Sequence, residues 1–341
     1  MSIEHLLKLS VDKKASDLHL ISGMAPILRI DGALVKADKD VLSEKDMEKA
    51  IFSLLSPEQK ERLLKDKELD FSYETKNSDR FRVNAHYERG NLGMVARIIS
   101  HEIPSLEDLE APEIVHSLLK LQQGLILITG PTGCGKSTTL AAMIETINKE
   151  QNRNIITLED PIEFLFESKK SIIIQRQLGT DMISFKSGLK HIVRQDPDVI
   201  MVGEMRDLET IAATVTLAET GHLVLATLHT YSASQTIDRI IDMFPPYQQE
   251  QIKTQLSAVL SAVISQRLLS RVKGGRVAAR EILINNPAVA NLIRENKITQ
   301  IKTVIETNLK EGMITMEKSL KNLHKNDIIS EEEMNAHILS S

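Results

Sequence analysis

Four continuous apolar runs, each four or five residues long, lie in the second part of the chain and alternate with segments of helical periodicity. The runs cover residues 125–129, 155–158, 199–202 and 223–226, and the helical segments include 138–149, 185–194 and 208–219. A strand that is apolar at every position must be buried on both of its faces. The pattern therefore predicts a largely parallel sheet with helices on both faces, as in an α/β fold.

The first hundred residues follow a different pattern, with short extended segments around one helix. Extended segments are predicted at 18–21, 27–30, 81–85 and 94–99, a turn at Asp31-Gly32 and a helix near 43–55. This pattern is typical of a small α+β domain, which we place at residues 1–100. Prolines and acidic residues predict a linker at 101–112, and the second domain, with a C-terminal helical region, is predicted over 113–341.

The first apolar run of the second domain leads into a glycine-rich segment, Gly130-Pro-Thr-Gly-Cys-Gly-Lys-Ser137, and then into a helix. Strand, loop and helix in this order form a P-loop, whose backbone N–H groups and helix N-terminus surround a phosphate. Lys136 would reach the β- and γ-phosphates, and the Ser137 hydroxyl would help to hold Mg²⁺. The predicted nucleotide-binding residues are Gly130, Pro131, Thr132, Gly133, Cys134, Gly135, Lys136, Ser137 and Thr138.

Carboxylates follow two further predicted strands at their carboxyl ends, where an α/β sheet binds its ligands. Glu159, Asp160 and Glu163 follow one of these strands, and Glu204 follows the other. A P-loop enzyme needs one carboxylate at Mg²⁺, usually through water, and another that orients the attacking water. Glu204 and Glu163 could divide these two tasks.

Composition narrows the classes of function that the chain can serve. The 341 residues carry a formal net charge of −5 and include seven Phe, four Tyr and no Trp, which disfavours binding to nucleic acid. The single cysteine, Cys134, excludes an intrachain disulfide and a multi-cysteine zinc site, and it is typical of a reducing compartment. Residues 1–20 lack the apolar stretch of a signal peptide, and every apolar run is shorter than the roughly 18 residues that cross a bilayer. We therefore expect neither export nor a transmembrane segment.

Four motifs, taken in order, resemble those of the secretion ATPase superfamily. They are the Walker A motif at 130–137, the Asp box at 158–164, the Walker B motif at 202–210 and the His box at 221–230. Within that superfamily the chain is similar to the retraction ATPases of type IV pili, and the match runs from residues 15–20 to residues 275–279. The chain lacks the tetracysteine element of the zinc-containing relatives.

The resemblance implies a PAS-like N-terminal domain, a RecA-like ATPase domain and a cytoplasmic hexamer at the inner membrane that hydrolyses ATP with Mg²⁺. Arginines of the N-terminal domain would complete the active site, on closure or from a neighbouring subunit. Implied partners are an inner-membrane platform protein of the pilus and a paralogous retraction ATPase, without direct contact to nucleic acid. The residues implied at the active site are Glu163 as catalytic glutamate, Glu204 as Walker B acid, His222, His229, Arg82 and Arg97.

Residues 288–295 resemble the family's retraction motif, with two changes. Val289 replaces Ile and keeps an apolar contact, whereas Ala290 replaces Arg and removes a cation. Elsewhere, Gln195 stands for the usual Glu and Cys134 for the usual Ser. The apolar positions of the motif could instead be core residues of an amphipathic helix.

The sequence leaves several functions open. We expect an ATP-driven motor that retracts pili, and an accessory retraction ATPase with the same motifs is the nearest alternative. A RecA-like nucleic-acid translocase is disfavoured by the acidic charge and the few aromatic residues. A scaffold that binds ATP without hydrolysis is disfavoured because Lys136, Glu163 and Glu204 are all present.

Overall fold

The computed structural model describes most of the chain, which divides into two compact units, Met1–His101 and Glu102–Ser341. The predicted Asp31-Gly32 turn lies outside the described residues. Those residues are 2–30, 33–37, 40–77, 79–99 and 102–338.

The first unit is a six-stranded antiparallel sheet with three helices among its described residues. The strand order is β3-β2-β1-β6-β5-β4. Its strands are β1 (Asp17–Ile21), β2 (Ile27–Ile30), β3 (Ala33–Lys36), β4 (Glu68–Glu74), β5 (Arg80–Glu88) and β6 (Asn91–Ile99), and its helices are α1 (Ile3–Asp12), α2 (Glu44–Phe52) and α3 (Pro57–Asp66).

The pattern of alternation predicted four of these strands and one helix. The predicted extended segments fall within β1, β2, β5 and β6, and the predicted helix contains α2, which begins where Ser43 and Asp46 cap each other's backbone N–H groups. Helices α1 and α3 and strands β3 and β4 were not predicted. The α+β class of this unit is confirmed.

One face of this sheet carries a row of charged side chains. Cross-strand pairing places Arg29, Asp17, Arg97 and Arg82 side by side on β2, β1, β6 and β5. Directly opposed residues point to the same face of a sheet. The alternate positions, such as Leu18, are buried in the core of the unit.

The second unit contains a seven-stranded sheet in the order β13-β12-β7-β11-β10-β8-β9. All neighbours are parallel except β12 and β13, which form an antiparallel pair at one edge. The strands are β7 (Gly124–Thr129), β8 (Asn154–Glu159), β9 (Ile172–Gln177), β10 (Val199–Val202), β11 (Leu223–Leu228), β12 (Leu260–Ser270) and β13 (Arg276–Ile284).

Helices cover both faces of this sheet, as predicted. The α-helices in the described part of the unit are α4 (Glu113–Leu118), α5 (Lys136–Glu150), α6 (Phe185–Ile192), α7 (Leu208–Glu219), α8 (Ala233–Asp242), α9 (Pro246–Val259), α10 (Pro287–Arg294), α11 (Ile301–Thr307), α12 (Met316–Lys325) and α13 (Glu331–Ile338). Every residue of β7 is buried, with Leu125 and Leu127 in one hydrophobic core and Ile126 and Ile128 in the other. Parallel strands with two covered faces explain the continuous apolar runs.

The segment predicted as a linker, 101–112, packs against the second unit over its described part. Leu106 is fully buried in the core that also holds Ile126 and Ile128. Arg280 of β13 donates hydrogen bonds to the carbonyls of Leu109 and Glu110. The prolines and charges of this segment belong to a docked turn rather than to a free connection.

Candidate active site

The P-loop lies between the end of β7 and the start of α5, as predicted. Gly130 has a φ of +143°, and a Cβ atom there would lie 2.3 Å from the carbonyl oxygen of Gln266 on β12. A side chain is therefore excluded by the neighbouring strand. Gly135 is the N-cap of α5, so the first N–H groups of a 15-residue helix point into the loop. Free N–H groups and the positive end of the helix dipole form a phosphate site.

The ammonium group of Lys136 is held inside the loop. Its Nζ donates to the carbonyls of Gly130 and Pro131, at 2.9 Å each, and lies 3.4 Å from Nδ1 of His229. Burial lowers the pKa of Lys136, while the charges of Glu204 and Glu163 act in the opposite direction. Both predicted carboxylates therefore lie near this lysine.

Glu204 lies just beyond the end of β10, and each of its two carboxylate oxygens contacts a basic side chain. Its Oε1 lies 3.0 Å from Nε2 of His229, and its Oε2 lies 2.8 Å from Arg206. Lysine can only donate a hydrogen bond, so Nδ1 of His229 accepts from Lys136 and Nε2–H donates to Glu204. His229 thereby links the lysine of the P-loop to Glu204, the predicted Walker B acid.

Glu163 is exposed in the loop that follows β8. Its backbone N–H bonds to the carboxylate of Glu159, which also accepts hydrogen bonds from Thr157 at 2.6 Å and Gln175 at 3.1 Å. Burial raises the pKa of Glu159. Glu159 thus has a structural role beneath the loop, whereas Glu163 and Asp160 are both exposed to solvent.

His222 does not join this group within one chain. It precedes β11, whereas His229 follows it, and the strand between them spans about 20 Å at 3.3 Å per residue. Its Nδ1 lies 2.8 Å from the carbonyl of Leu217 and 3.2 Å from Thr220. Because β7 and β11 are parallel, His222 lies beside Gly124, at the end of β7 away from the P-loop.

Arg82 and Arg97 lie opposite each other on the first unit. Both are exposed, and Nε of Arg97 donates to the buried carboxylate of Asp17 at 2.8 Å. Their part in hydrolysis stays a prediction.

Cys134 contributes its backbone to the P-loop. Its side chain is 3% exposed, and burial raises the pKa of its thiol, so the reactive thiolate is disfavoured. Its carbonyl accepts a hydrogen bond of 2.7 Å from Nε2 of Gln266.

Sequence reasoning missed two residues of the site, Gln266 and Arg206. Gln266 lies on β12, which is far from the P-loop in sequence and carries no recognisable motif. Arg206 lies two residues after Glu204 and contacts it. That closeness in sequence was the signal that could have identified Arg206 as a residue of the site. The predicted retraction motif forms α10, where Val289 and Ile293 are core residues with no solvent exposure.

The oxygen donors near the P-loop suit Mg²⁺ bound mainly through a nucleotide. Among the described residues, no group of three His, Cys, Asp or Glu side chains could hold a metal ion. Mg²⁺ in nucleotide enzymes usually keeps waters and phosphate oxygens and takes only one or two protein ligands. The half-buried Ser137 in the first turn of α5 is predicted to bind such an ion directly, and the Glu204 carboxylate is predicted to bind it through water.

No helix among the described residues has the length and apolar character needed to cross a membrane.

Comparison with known proteins gives full-length matches. The type IV pilus retraction ATPase PilT of Pseudomonas aeruginosa is 44% identical over 332 residues, which are 97% of this chain and 96% of that protein. The type IV pilus ATPase PilU of the same organism is 39% identical over 338 residues, 99% of this chain and 88% of that protein. A crystal structure of the pilus retraction motor PilT with bound ADP superimposes with a TM-score of 0.92, at 44% identity and with 98% and 96% of the two chains covered.

A family assignment follows from the extent of these matches. The family described as type II/IV secretion system protein matches residues 2–274. The P-loop, Glu204 and His229 lie within that range. The chain therefore belongs to the type II/IV secretion system protein family.

Proposed function

We propose that this ATPase is the motor that withdraws type IV pili, and that it works as a hexameric ring on the cytoplasmic side of the inner membrane. The observation that carries the proposal is the chain of contacts from Lys136 through His229 to Glu204 at the P-loop. Retraction is supported by the likeness to Pseudomonas PilT over 97% of the chain.

Nucleotide binding would begin at the backbone N–H groups of the P-loop and of α5. Lys136 then exchanges the carbonyls of Gly130 and Pro131 for the β- and γ-phosphates. The lysine needs little movement, because its ammonium group already lies within the loop. Its buried charge meets an anion, which offsets the cost of its burial.

Hydrolysis would follow from the two carboxylates. Glu163 orients the attacking water and accepts its proton as the water oxygen bonds to the γ-phosphorus. The bond from that phosphorus to the bridging oxygen breaks and leaves ADP and phosphate. Glu204 keeps His229 oriented toward Lys136. A change of charge at the γ-phosphate would therefore reach Glu204 through Lys136 and His229.

Ser137 and Glu204 would hold Mg²⁺, Glu204 through a water molecule. The ion supplies charge neutralisation at the β- and γ-phosphates. Oε2 of Glu204, which accepts from Arg206, has a further lone pair that could accept from this water.

Variants of three residues test the site. Lys136→Ala should abolish nucleotide binding. Glu163→Gln and Glu204→Gln should bind ATP, but their rate of hydrolysis should fall at least about 100-fold. ATP binding and phosphate release with purified protein measure the two effects separately. Intact binding and turnover in Lys136→Ala would contradict the assignment of the P-loop.

The same assays separate the other functions. Turnover stimulated by added DNA would favour a translocase, and binding without turnover would favour a scaffold. A motor for retraction predicts that a deletion strain keeps its pili and loses their withdrawal and twitching motility.

An accessory retraction ATPase is the second candidate, because the chain also matches Pseudomonas PilU over 99% of its length. The accessory role predicts that a catalytically inactive Glu204→Gln chain still supports some retraction through a second motor. The primary role predicts complete loss. A platform protein of the inner membrane is the proposed partner in either case.

A further inference from the structure

We propose that Gln266 and Arg280 couple the P-loop to residues 105–111, so that nucleotide binding changes the packing of this segment. The segment is the part of the second unit that follows the first unit in the chain. The inference goes beyond the proposed motor function because it assigns a positioning role to two residues of β12 and β13 outside the ATPase motifs.

Gln266 ties the P-loop to β12. Its side chain is 1% exposed, and Nε2 donates to the carbonyl of Cys134 at 2.7 Å. Its Oε1 accepts from Thr139 of α5 at 3.0 Å. Its own carbonyl oxygen packs against Gly130, where a Cβ atom would approach to 2.3 Å. A shift of the loop therefore has to move Gln266 or break its hydrogen bonds.

Arg280 is paired with Gln266 across the β12–β13 ladder. It is directly opposed to Gln266, so both side chains lie on the face that also carries α5. Its guanidinium donates to the carbonyls of Leu109 at 2.9 Å and Glu110 at 3.1 Å.

The tie between Arg280 and the segment is costly to break. The residue is 4% exposed, burial lowers its pKa to about 10, and its Nε has no hydrogen-bond partner among the described residues. Loss of the two carbonyls would leave a buried cation without acceptors, which is strongly unfavourable.

Nucleotide binding would give the P-loop a second arrangement, which Gln266 and Arg280 could transmit. In the structure, Lys136 holds the carbonyls of Gly130 and Pro131. A nucleotide phosphate would take the ammonium group from these carbonyls, and the loop beside Gln266 would relax. Coupling between the nucleotide site and residues 105–111 requires an element between them that can adopt two arrangements, and the P-loop beside Gln266 would be that element.

The segment itself is compact and can respond as one piece. Ser105 caps its first turn through Asp108, Leu106 is fully buried, and the N–H of Ala111 bonds to the Leu106 carbonyl at 2.9 Å. The amides of Leu109, Glu110 and Ala111 donate within this turn, so their hydrogen exchange reports its opening.

Amide hydrogen exchange of the full-length protein tests the coupling. ADP is added at a concentration that saturates each variant, as judged from its own measured affinity. In the wild type, ADP should change the exchange rates of the Leu109–Ala111 amides about three- to tenfold. The change should be lost in Gln266→Met and in Arg280→Met.

Arg271→Met is the matched control. Arg271 holds the carboxylate of Glu110 at 2.6 Å but lies outside the pairing of Gln266 with Arg280. This variant should keep the response to ADP. Because coupling is reciprocal, the ADP affinity of Arg280→Met should also differ from that of Arg271→Met, about threefold.

Two results would overturn the proposal: a wild-type segment that does not respond to bound ADP, or a response that persists in folded Arg280→Met. If Arg280→Met does not fold, a full response in Gln266→Met has the same meaning. Failure of ADP to bind at all would contradict the ATPase assignment instead.

Discussion

Asp17 pairs with two arginines, Arg29 and Arg97, on the polar face of the first unit's sheet. Its carboxylate is 5% exposed and lies 2.8 Å from Arg97, 2.8 Å from Ser16 and 3.8 Å from Arg29. Burial by itself would raise the pKa of Asp17, but the hydrogen bonds of Ser16 and Arg97 outweigh it, so the pKa lies below its ordinary value. Asp17 also fixes the Nε end of Arg97 and leaves the far end of that guanidinium exposed.

Replacement of Asp17 tests how the stability of this cluster depends on pH. Asp17→Asn should lower the local free energy of unfolding by about 1–3 kcal/mol at pH 7, because charged hydrogen bonds are lost. A carboxylate with a depressed pKa stabilises above its unfolded pKa of about 4, and this contribution is lost as the pH falls through the folded value. The variant and the wild type should therefore converge in acid. Amide exchange in β1 and β6 at several pH values measures the difference.

Asp70→Asn is the control for this prediction, since Asp70 is exposed and, among the described residues, accepts a side-chain hydrogen bond from Asn84 alone. It should change stability by less than about 0.5 kcal/mol at any pH. An equal effect of both variants would refute the special role of Asp17.

At the scale of elements, β12 decides the shape of the P-loop. It lies beside β7, and Ser265 and Gln266 contact Thr129 and Cys134 at the start and middle of the loop. The antiparallel β12–β13 pair thus supports the nucleotide site from the edge of a parallel sheet.

Two glycine variants test this packing. Gly130→Ala would force a Cβ atom to within 2.3 Å of the Gln266 carbonyl, whereas Gly133→Ala meets no atom within 4 Å. Gly130→Ala should weaken ADP binding about 10- to 100-fold through overpacking. Gly133→Ala should show only the strain of a positive φ, about 1 kcal/mol, and so should weaken ADP binding by no more than about fivefold. Titration with a fluorescent ADP analogue compares the two, and equal losses would mean that β12 does not shape the loop.

At the scale of the whole molecule, the predicted active-site residues are divided between the two units. The predicted arginines Arg82 and Arg97 belong to the first unit, and Lys136, Glu204 and His229 belong to the second. A charge supplied by one unit to the nucleotide of another makes hydrolysis depend on their arrangement, and arginines in this role contribute roughly 10³ to 10⁵ in rate.

Mixed rings test sharing directly. Arg97→Ala and Glu204→Ala chains should each be inactive alone. If Arg97 acts on a neighbour, mixed hexamers pair an intact Glu204 site with an intact Arg97, and ATPase activity should recover in part. No recovery, in rings shown by native mass spectrometry to contain both chains, would place Arg97 in its own subunit or remove its role.

Local sequence determined the P-loop, the strands around it and the acids at their carboxyl ends. These features depend on residues close in the chain: glycines where a turn excludes Cβ atoms, apolar runs where a strand is buried on both faces. His222, by contrast, was predicted at the active site with His229, whereas strand pairing places the two histidines at opposite ends of β11.

The tertiary structure decided which side chains meet. The contacts of Gln266 with Cys134, of Arg280 with Leu109 and of Asp17 with Arg97 join residues that are distant in sequence. Strand order and pairing register create such contacts, and both follow from long-range burial rather than from local periodicity. For the same reason the contacts of β13 with the predicted linker, 101–112, could not be derived from its prolines and acidic residues.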